Sequence, residues 1–247
     1  MTLLVRLGPV DFLSAIPLGD GFTIESFEGW NDGTESRLTE IPRPQAHGAF
    51  DLPVFAEPRV ITIEGYCRAD SIEKLGWYQS LFTGLLANGD SKRIVVTEFG
   101  RTLWVDVRRA SRPRFTPWGG QKFADFSISA WAANPRKFGE SRTFAGGVAA
   151  YHFGNFAASP IHTVSGTGSG YTINGPGGKT FTVTQAVTDG NPHTIDMATG
   201  FLEVGGVVVT GQVTSADTWA IPGGGTVTHT LTGSGLTLST AVLDTYI

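Results

Sequence analysis

Arg108-Arg109-Ala110-Ser111-Arg112-Pro113-Arg114 places four guanidinium groups within seven residues, and Phe115, Trp118 and Phe123 follow closely. Two chemistries use such a stretch. A cationic groove with interleaved aromatic rings tracks single-stranded nucleic acid. The planar, permanently charged guanidinium fork also holds carboxylates and carbonyls rigidly across a protein interface. Asp106 and Asp125 bracket the stretch, and the whole chain carries 18 Lys and Arg against 22 Asp and Glu. Phosphate binding wants a basic field. A solvated sheet edge or a charged subunit interface is the more economical reading, and no nucleic-acid recognition is expected. Arg108, Arg109, Arg112 and Arg114 are therefore candidate subunit contacts.

Other reactive types are sparse. The histidines are His47, His152, His162, His193 and His229, with no His-x-x-x-His pair and no carboxylate at zinc spacing. They are expected on the surface or at an interface. A single cysteine, Cys67, excludes an intrachain disulfide and a cysteine-rich zinc site, and reads as a buried inert thiol. Gly166-Thr167-Gly168-Ser169-Gly170 superficially resembles a nucleotide loop or a nucleophile elbow. The β-prone Tyr171-Thr172-Ile173 follows it where a helix N-terminus would be needed, so a hairpin turn is expected. The acids are scattered, and no pair is marked out for sugar hydrolysis. The expectation is a non-enzymatic chain with no catalytic residue, cofactor or metal.

The elements that would position these side chains fall into two compositional parts. Residues 1–150 balance 17 bases with 17 acids, whereas residues 151–247 hold one base, Lys179, against five acids. The second part also carries 17 Gly and 25 Ser or Thr. That contrast, with the loose Gly139 to Gly147 stretch, divides the chain into an N-terminal β-rich oligomerisation domain, 1–146, and a C-terminal β-sandwich, 147–247. No apolar run approaches the ~18 residues of a membrane span, and no leader pattern is read in the opening residues.

In the first part, Val60 to Tyr66 alternates Ile61, Ile63 and Gly65 against Val60, Thr62 and Glu64. Arg93 to Val107 reads as two strands across Glu98-Phe99-Gly100-Arg101, and Phe126, Ile128 and Ala130 share one face of another strand. One helix is predicted from Asp70 to Asn88. Asp70 would be its N-cap and Glu73 would close a capping box, with Leu75, Tyr78, Phe82 and Leu85 at helical spacing. Glu25 to Phe55 is irregular, and Ala46-His47-Gly48-Ala49-Phe50 looks like the tip of a long hairpin. A loop of this length usually has a task or a partner, which makes His47 and Phe50 candidate contacts. The second part reads as short strands rich in Thr, spaced as in a sandwich or jelly roll.

The order of these features resembles a known family, the distal tail proteins of siphophages. Ser127-Ile128-Ser129-Ala130-Trp131-Ala132-Ala133-Asn134-Pro135-Arg136-Lys137-Phe138 is similar to the closing strand and Asp/Asn-Pro-x-x-Tyr/Phe element of that family. Tyr151-His152-Phe153-Gly154-Asn155-Phe156-Ala157-Ala158-Ser159-Pro160-Ile161 resembles its Gly-Asn-x-x-x-x-Pro opening of the second domain. The resemblance implies a ring, typically of six copies, that joins the tail tube to the tail tip or baseplate. It implies a tail-associated hub protein and receptor-binding or other baseplate proteins as partners. It also implies a galectin-like second domain and a place in the virion tail tip, after assembly in the host cytoplasm. An alternative is a carbohydrate-binding or host-surface adhesion module, with Trp219 and Tyr171 as stacking candidates. A polysaccharide-degrading enzyme is a third reading.

Overall fold

The computed structural model describes residues 3–14 and 19–247. Met1, Thr2 and residues 15–18, part of the segment read for a leader, lie outside them. The chain divides into two compact units, Met1–Lys137 with Ile247, and Phe138–Tyr246.

The first unit contains β1 (Leu4–Leu7), β2 (Val10–Leu13), β3 (Gly21–Glu28), β4 (Ser36–Arg37), β5 (Phe55–Ala56), β6 (Arg59–Arg68), α1 (Ile72–Thr83), β7 (Lys92–Glu98), β8 (Arg101–Arg109), β9 (Arg114–Pro117) and β10 (Phe123–Ala132). Seven of these strands follow one another in the order β8, β7, β1, β2, β3, β6, β10. The circle closes where Ala130 and Trp131 of β10 pair with Arg109 and Arg108 of β8. The result is a closed β-barrel, which leaves no free edge among those seven strands.

Alternation decides what fills the barrel. Along β6, Ile61, Ile63, Gly65 and Cys67 point inward while Val60, Glu64 and Arg68 face solvent. Gly65 sits where β3 bulges between Ile24 and Ser26. A Cβ at Gly65 would lie 1.9 Å from the Thr23 carbonyl oxygen, so the close approach needs glycine. Phe12, Phe22, Phe82 and Phe126 form an aromatic cluster, with ring centroids 5.3 Å apart for Phe82 and Phe126. Phe82 belongs to α1, so the helix is fastened by its own apolar stripe.

α1 is shorter than predicted. Its N-cap is Ser71, whose Oγ accepts the Lys74 N–H at 3.1 Å, rather than Asp70. The side chain of Asp70 accepts from Lys74 Nζ at 3.4 Å instead. The helix ends at Thr83 with Gly84 as C-cap, and the chain then turns so that Leu85 and Leu86 are buried. Leu86 takes a left-handed φ of 55° in that turn.

The second unit contains β11 (Lys137–Ala145), β12 (Ala149–Tyr151), β13 (Ile161–Gly166), β14 (Tyr171–Asn174), β15 (Thr180–Val183), β16 (His193–Asp196), β17 (Phe201–Val204), β18 (Val207–Val209), β19 (Val213–Ala216), β20 (Thr226–Thr228), β21 (Thr230–Thr232) and β22 (Leu236–Tyr246). The stretch from Gly139 to Gly147 is thus not a loose connector. It is strand as far as Ala145. Strands β18, β17, β16, β13, β22 and β11 run side by side, and β19, β15, β14 and β21 form a second sheet. Val164, Ile195 and Leu202 from the first meet Ile173, Phe181 and Val183 from the second in one core, which makes this unit a β-sandwich. Gly166 to Gly170 connects the two sheets and does not close a hairpin, because β13 and β14 pair with different partners. Gly154 is required for space, since a Cβ there would lie 1.8 Å from the Thr245 carbonyl oxygen.

Candidate assembly surface

The irregular segment between β3 and β6 is a hairpin arm. Its base is the β4–β5 pair, Ser36 with Ala56 and Arg37 with Phe55. Its tip is a bridge between Pro42 and Ala49, tightened by a 3.1 Å bond from the Arg43 N–H to the Gly48 carbonyl. His47 is exposed at that tip. Leu38, Ile41, Phe50, Leu52, Val54 and Phe55 are 37 to 68% exposed. Arg37 and Arg43 each stand 5.9 Å from the ring centroids of Phe55 and Phe50, respectively. An exposed apolar run of this kind marks an interaction site.

The arm leaves a charged root. Arg59 is 3% exposed, and it donates to the carbonyls of Gly29 at 2.6 Å, Asp32 at 2.8 Å and Pro135 at 3.1 Å. Lys137, also buried, donates to the Trp30 carbonyl at 2.8 Å. Burial, reinforced by the positive charge of Arg59, brings the Lys137 ammonium down to about 8. Two cations thus clamp the 29–32 turn from which the arm departs. The Asn134-Pro135 element belongs to the same clamp, with Asn134 Oδ1 accepting the Arg136 N–H at 3.2 Å.

The arginine stretch splits by role. Arg109 donates to the carbonyls of Thr83 at 3.1 Å and Leu85 at 2.6 Å, which caps the end of α1. Arg108 donates to the Gly89 carbonyl. Arg112 and Arg114 are exposed and line a polar pocket with Glu64, Ser111 and Ser127. The cluster read from spacing is therefore two braces within the chain, of which Arg108 is itself exposed, and two surface charges.

The outward side of α1 is a further apolar surface, one the helical stripe did not flag. Ile72 and Trp77 are 61% and 57% exposed. One turn on from Trp77 lies a pocket of about 320 Å³ lined by Leu7, Gly8, Pro9, Ser80, Leu81, Gly84, Leu85, Leu86 and Lys92. Phe99, 66% exposed, sits at the β7–β8 turn with a φ of 51°. A bulky residue in that left-handed region is rare.

The histidines other than His47 are core residues, against the surface placement expected. His152, His162, His193 and His229 are at most 2% exposed. His162 donates to or accepts from Thr240 Oγ1 at 2.9 Å, and its ring meets that of His229 at 4.7 Å. Burial brings His162 down to about 3 and His229 down to about 4, keeping both imidazoles neutral. His162 and His193 take inward positions on β13 and β16, His152 follows β12 and His229 lies between β20 and β21. Trp219 and Tyr171, the stacking candidates, are 5% and 4% exposed. Trp219 packs on His162 and His229, and the Tyr171 hydroxyl meets His193 Nδ1 at 3.2 Å. Their faces are spent inside the core. Burial pushes the Cys67 thiol up to about 12. Among the described residues, no three His, Cys, Asp or Glu side chains gather as metal ligands, and no helix is long and apolar enough to cross a membrane.

The fold of this chain is shared with solved proteins of phage adsorption apparatus and baseplates. It is similar to the crystal structure of SPP1 Dit (gp 19.1), described as a paradigm of the hub adsorption apparatus of phages infecting Gram-positive bacteria. The two share 12% identity over 99% of each chain, at a TM-score of 0.75. It is also similar to a chain of the phage P2 baseplate in its activated conformation with Ca, at 10% identity over 97% of each chain and a TM-score of 0.52. No protein-family model matches the chain, and no curated protein matches it either.

Proposed function

We propose that this chain is a structural, non-enzymatic distal tail protein of a siphophage. It forms a ring, six copies by analogy, that joins the tail tube to the tail tip or baseplate and serves as the hub on which neighbouring tip proteins assemble. The observation that carries this reading is the likeness to SPP1 Dit over 99% of each chain at a TM-score of 0.75, which spans both units. The exposed arm supports it, because a closed ring repeats one contact between neighbouring copies and exposed apolar patches serve such contacts. His152, His162, His193, His229 and Cys67 support the non-enzymatic part, since they are consumed in core packing, and His47 stands at the arm tip with no carboxylate partner among the described residues. Arg112, Arg114, His47 and Phe50 are subunit-contact residues in this reading, and Arg108 and Arg109 act by holding the turn after α1. The second unit is a galectin-like module that projects toward other tip proteins. The two compact units are taken as the two domains, the second beginning at Phe138 rather than at the 146/147 division read from composition.

The test is cryo-electron microscopy of intact particles. The chain should form a ring between the end of the tail tube and the tip. Density in the capsid, or no copy in purified virions, would overturn the reading.

A further inference from the structure

We propose that Asn88, in the turn after α1, is a self-modifying site: it deamidates spontaneously through attack by the main-chain nitrogen of Gly89, and the product loosens the brace that Arg108 supplies to that turn.

The chain holds six asparagines, and the fold protects five of them. Ring closure needs a free carboxamide, a following N–H that can turn toward it, and no Cβ in the way, which is why Asn-Gly pairs react fastest. Asn134 and Asn191 precede Pro135 and Pro192, which have no N–H. The Asn31 carboxamide donates to Glu98 Oε2 at 3.0 Å, and the residue after it is Asp32. Phe156, after Asn155, gives its N–H to the Thr245 carbonyl at 3.1 Å.

Two Asn-Gly pairs remain, and the structure separates them. Asn174 ends β14, where its Nδ2 donates to Thr230 Oγ1 at 3.3 Å and to Thr232 Oγ1 at 3.2 Å, and the Gly175 N–H donates to the Lys179 carbonyl at 2.9 Å. A Cβ on Gly175 would stand 2.7 Å from the Trp219 ring, so this pair is packed as well as bonded. Asn88 has none of this. Asn88 and Gly89 are both exposed, and they follow the last backbone bond of the turn, from the Ala87 N–H to the Gly84 carbonyl at 3.2 Å. Gly89 takes a φ of 75°. Among the described residues neither the Asn88 carboxamide nor the Gly89 N–H has a hydrogen-bond partner.

The step balances with water alone. The Gly89 nitrogen forms a bond to Asn88 Cγ, the Cγ–Nδ2 bond breaks, and ammonia leaves with the proton from the Gly89 nitrogen. Water then opens the five-membered imide. Opening at Cγ gives an aspartyl residue. Opening at the main-chain carbonyl gives an isoaspartyl residue, whose backbone runs through the side-chain methylene. Arg108 donates to the Gly89 carbonyl, one residue on. The isoaspartyl form inserts an extra main-chain atom ahead of that carbonyl and draws it out of register with the guanidinium.

Ageing the full chain in mildly alkaline buffer, folded and in urea, tests this. Peptide mapping by mass spectrometry, with chromatography that separates isoaspartyl from aspartyl peptides, reads the products. In the folded chain, modification at Asn88 should exceed that at Asn174 at least tenfold, and in urea the two should converge. N88Q, a change at an exposed position, should remove the acidic isoform that isoelectric focusing shows in the aged chain. The aged isoaspartyl fraction should unfold at lower urea than N88D, which carries the same charge on an ordinary backbone. A folded chain in which Asn174 reacts as fast as Asn88, or in which Asn88 stays intact while both react in urea, overturns the site. Equal urea midpoints for the aged fraction and N88D overturn the loosening.

Discussion

His162 and His229 lie ring to ring with Trp219 in the sandwich core, and His162 Nε2, both His229 nitrogens and Trp219 Nε1 have no hydrogen-bond partner in the protein. Such a cluster tolerates neutral imidazoles and penalises charged ones. The unfolded imidazole has an ordinary value of 6.5, against about 3 and about 4 in the fold. Stability of the second unit is therefore full above pH 6.5 and declines as pH falls toward 4, because only the unfolded chain takes up the protons. The slope approaches about 1.4 kcal/mol per pH unit for each imidazole. Urea midpoints of the full chain from pH 7 to 4 check this. H229F, which removes a ring that makes no hydrogen bond, should flatten the profile, and an unchanged slope in that variant would refute the assignment. None of this was legible in the sequence. A lone His in a strand has the same neighbours in the chain whether its ring faces water or core, and Trp219 near Gly and Pro reads equally well as an exposed platform. Cys67 was legible, because Ile61, Ile63 and Gly65 fix the inward phase of β6.

At the level of elements, α1 shows where local signals suffice and where they stop. Leu75 and Phe82 at helical spacing placed the helix and its buried face. The cap was misplaced by one residue, since Asp70 and Ser71 are both competent acceptors and only Lys74 Nζ, reaching for Asp70 and Asp20, decides between them. The early stop at Thr83 falls on Gly84, and Arg109, distant in sequence, satisfies the Thr83 and Leu85 carbonyls there. That gives a prediction. R109A removes two charge-assisted bonds to helix-terminal carbonyls and should cost the first unit about 1–2 kcal/mol, whereas R112A and R114A should change stability by less than about 0.5 kcal/mol. Thermal or urea unfolding of the three variants separates braces from surface charges. Equal effects would mean that the arginine stretch acts as one unit after all. The strands of the barrel were readable singly from their alternation. Its closure was not, because the pairing of Trp131 with Arg108 joins distant residues and leaves no periodic trace.

On the scale of the whole molecule, an exposed arm on a closed barrel predicts an assembly-dependent protease footprint. The arm has little backbone pairing beyond Arg37, and Arg43 precedes Pro44, which blocks trypsin there. Limited trypsin digestion of dilute protein should cut first after Arg37, and assembled rings should resist that cut while other sites stay unchanged. Peptide mass spectrometry reads both outcomes, and equal cleavage in the two states would exclude the arm from the interface. The seam of the barrel has a different consequence. β10 meets β6 through ten residue pairs but meets β8 through only Ala130–Arg109 and Trp131–Arg108. Under tensile load a cylinder of strands yields where the fewest bonds share the force, so this short seam and the equally short β2–β3 joint, Phe12–Phe22 and Leu13–Thr23, are the weak joints of the subunit. In single-molecule pulling, the first rupture should open one of these two joints. A staple across the R108C and W131C positions should confine the first break to the β2–β3 joint.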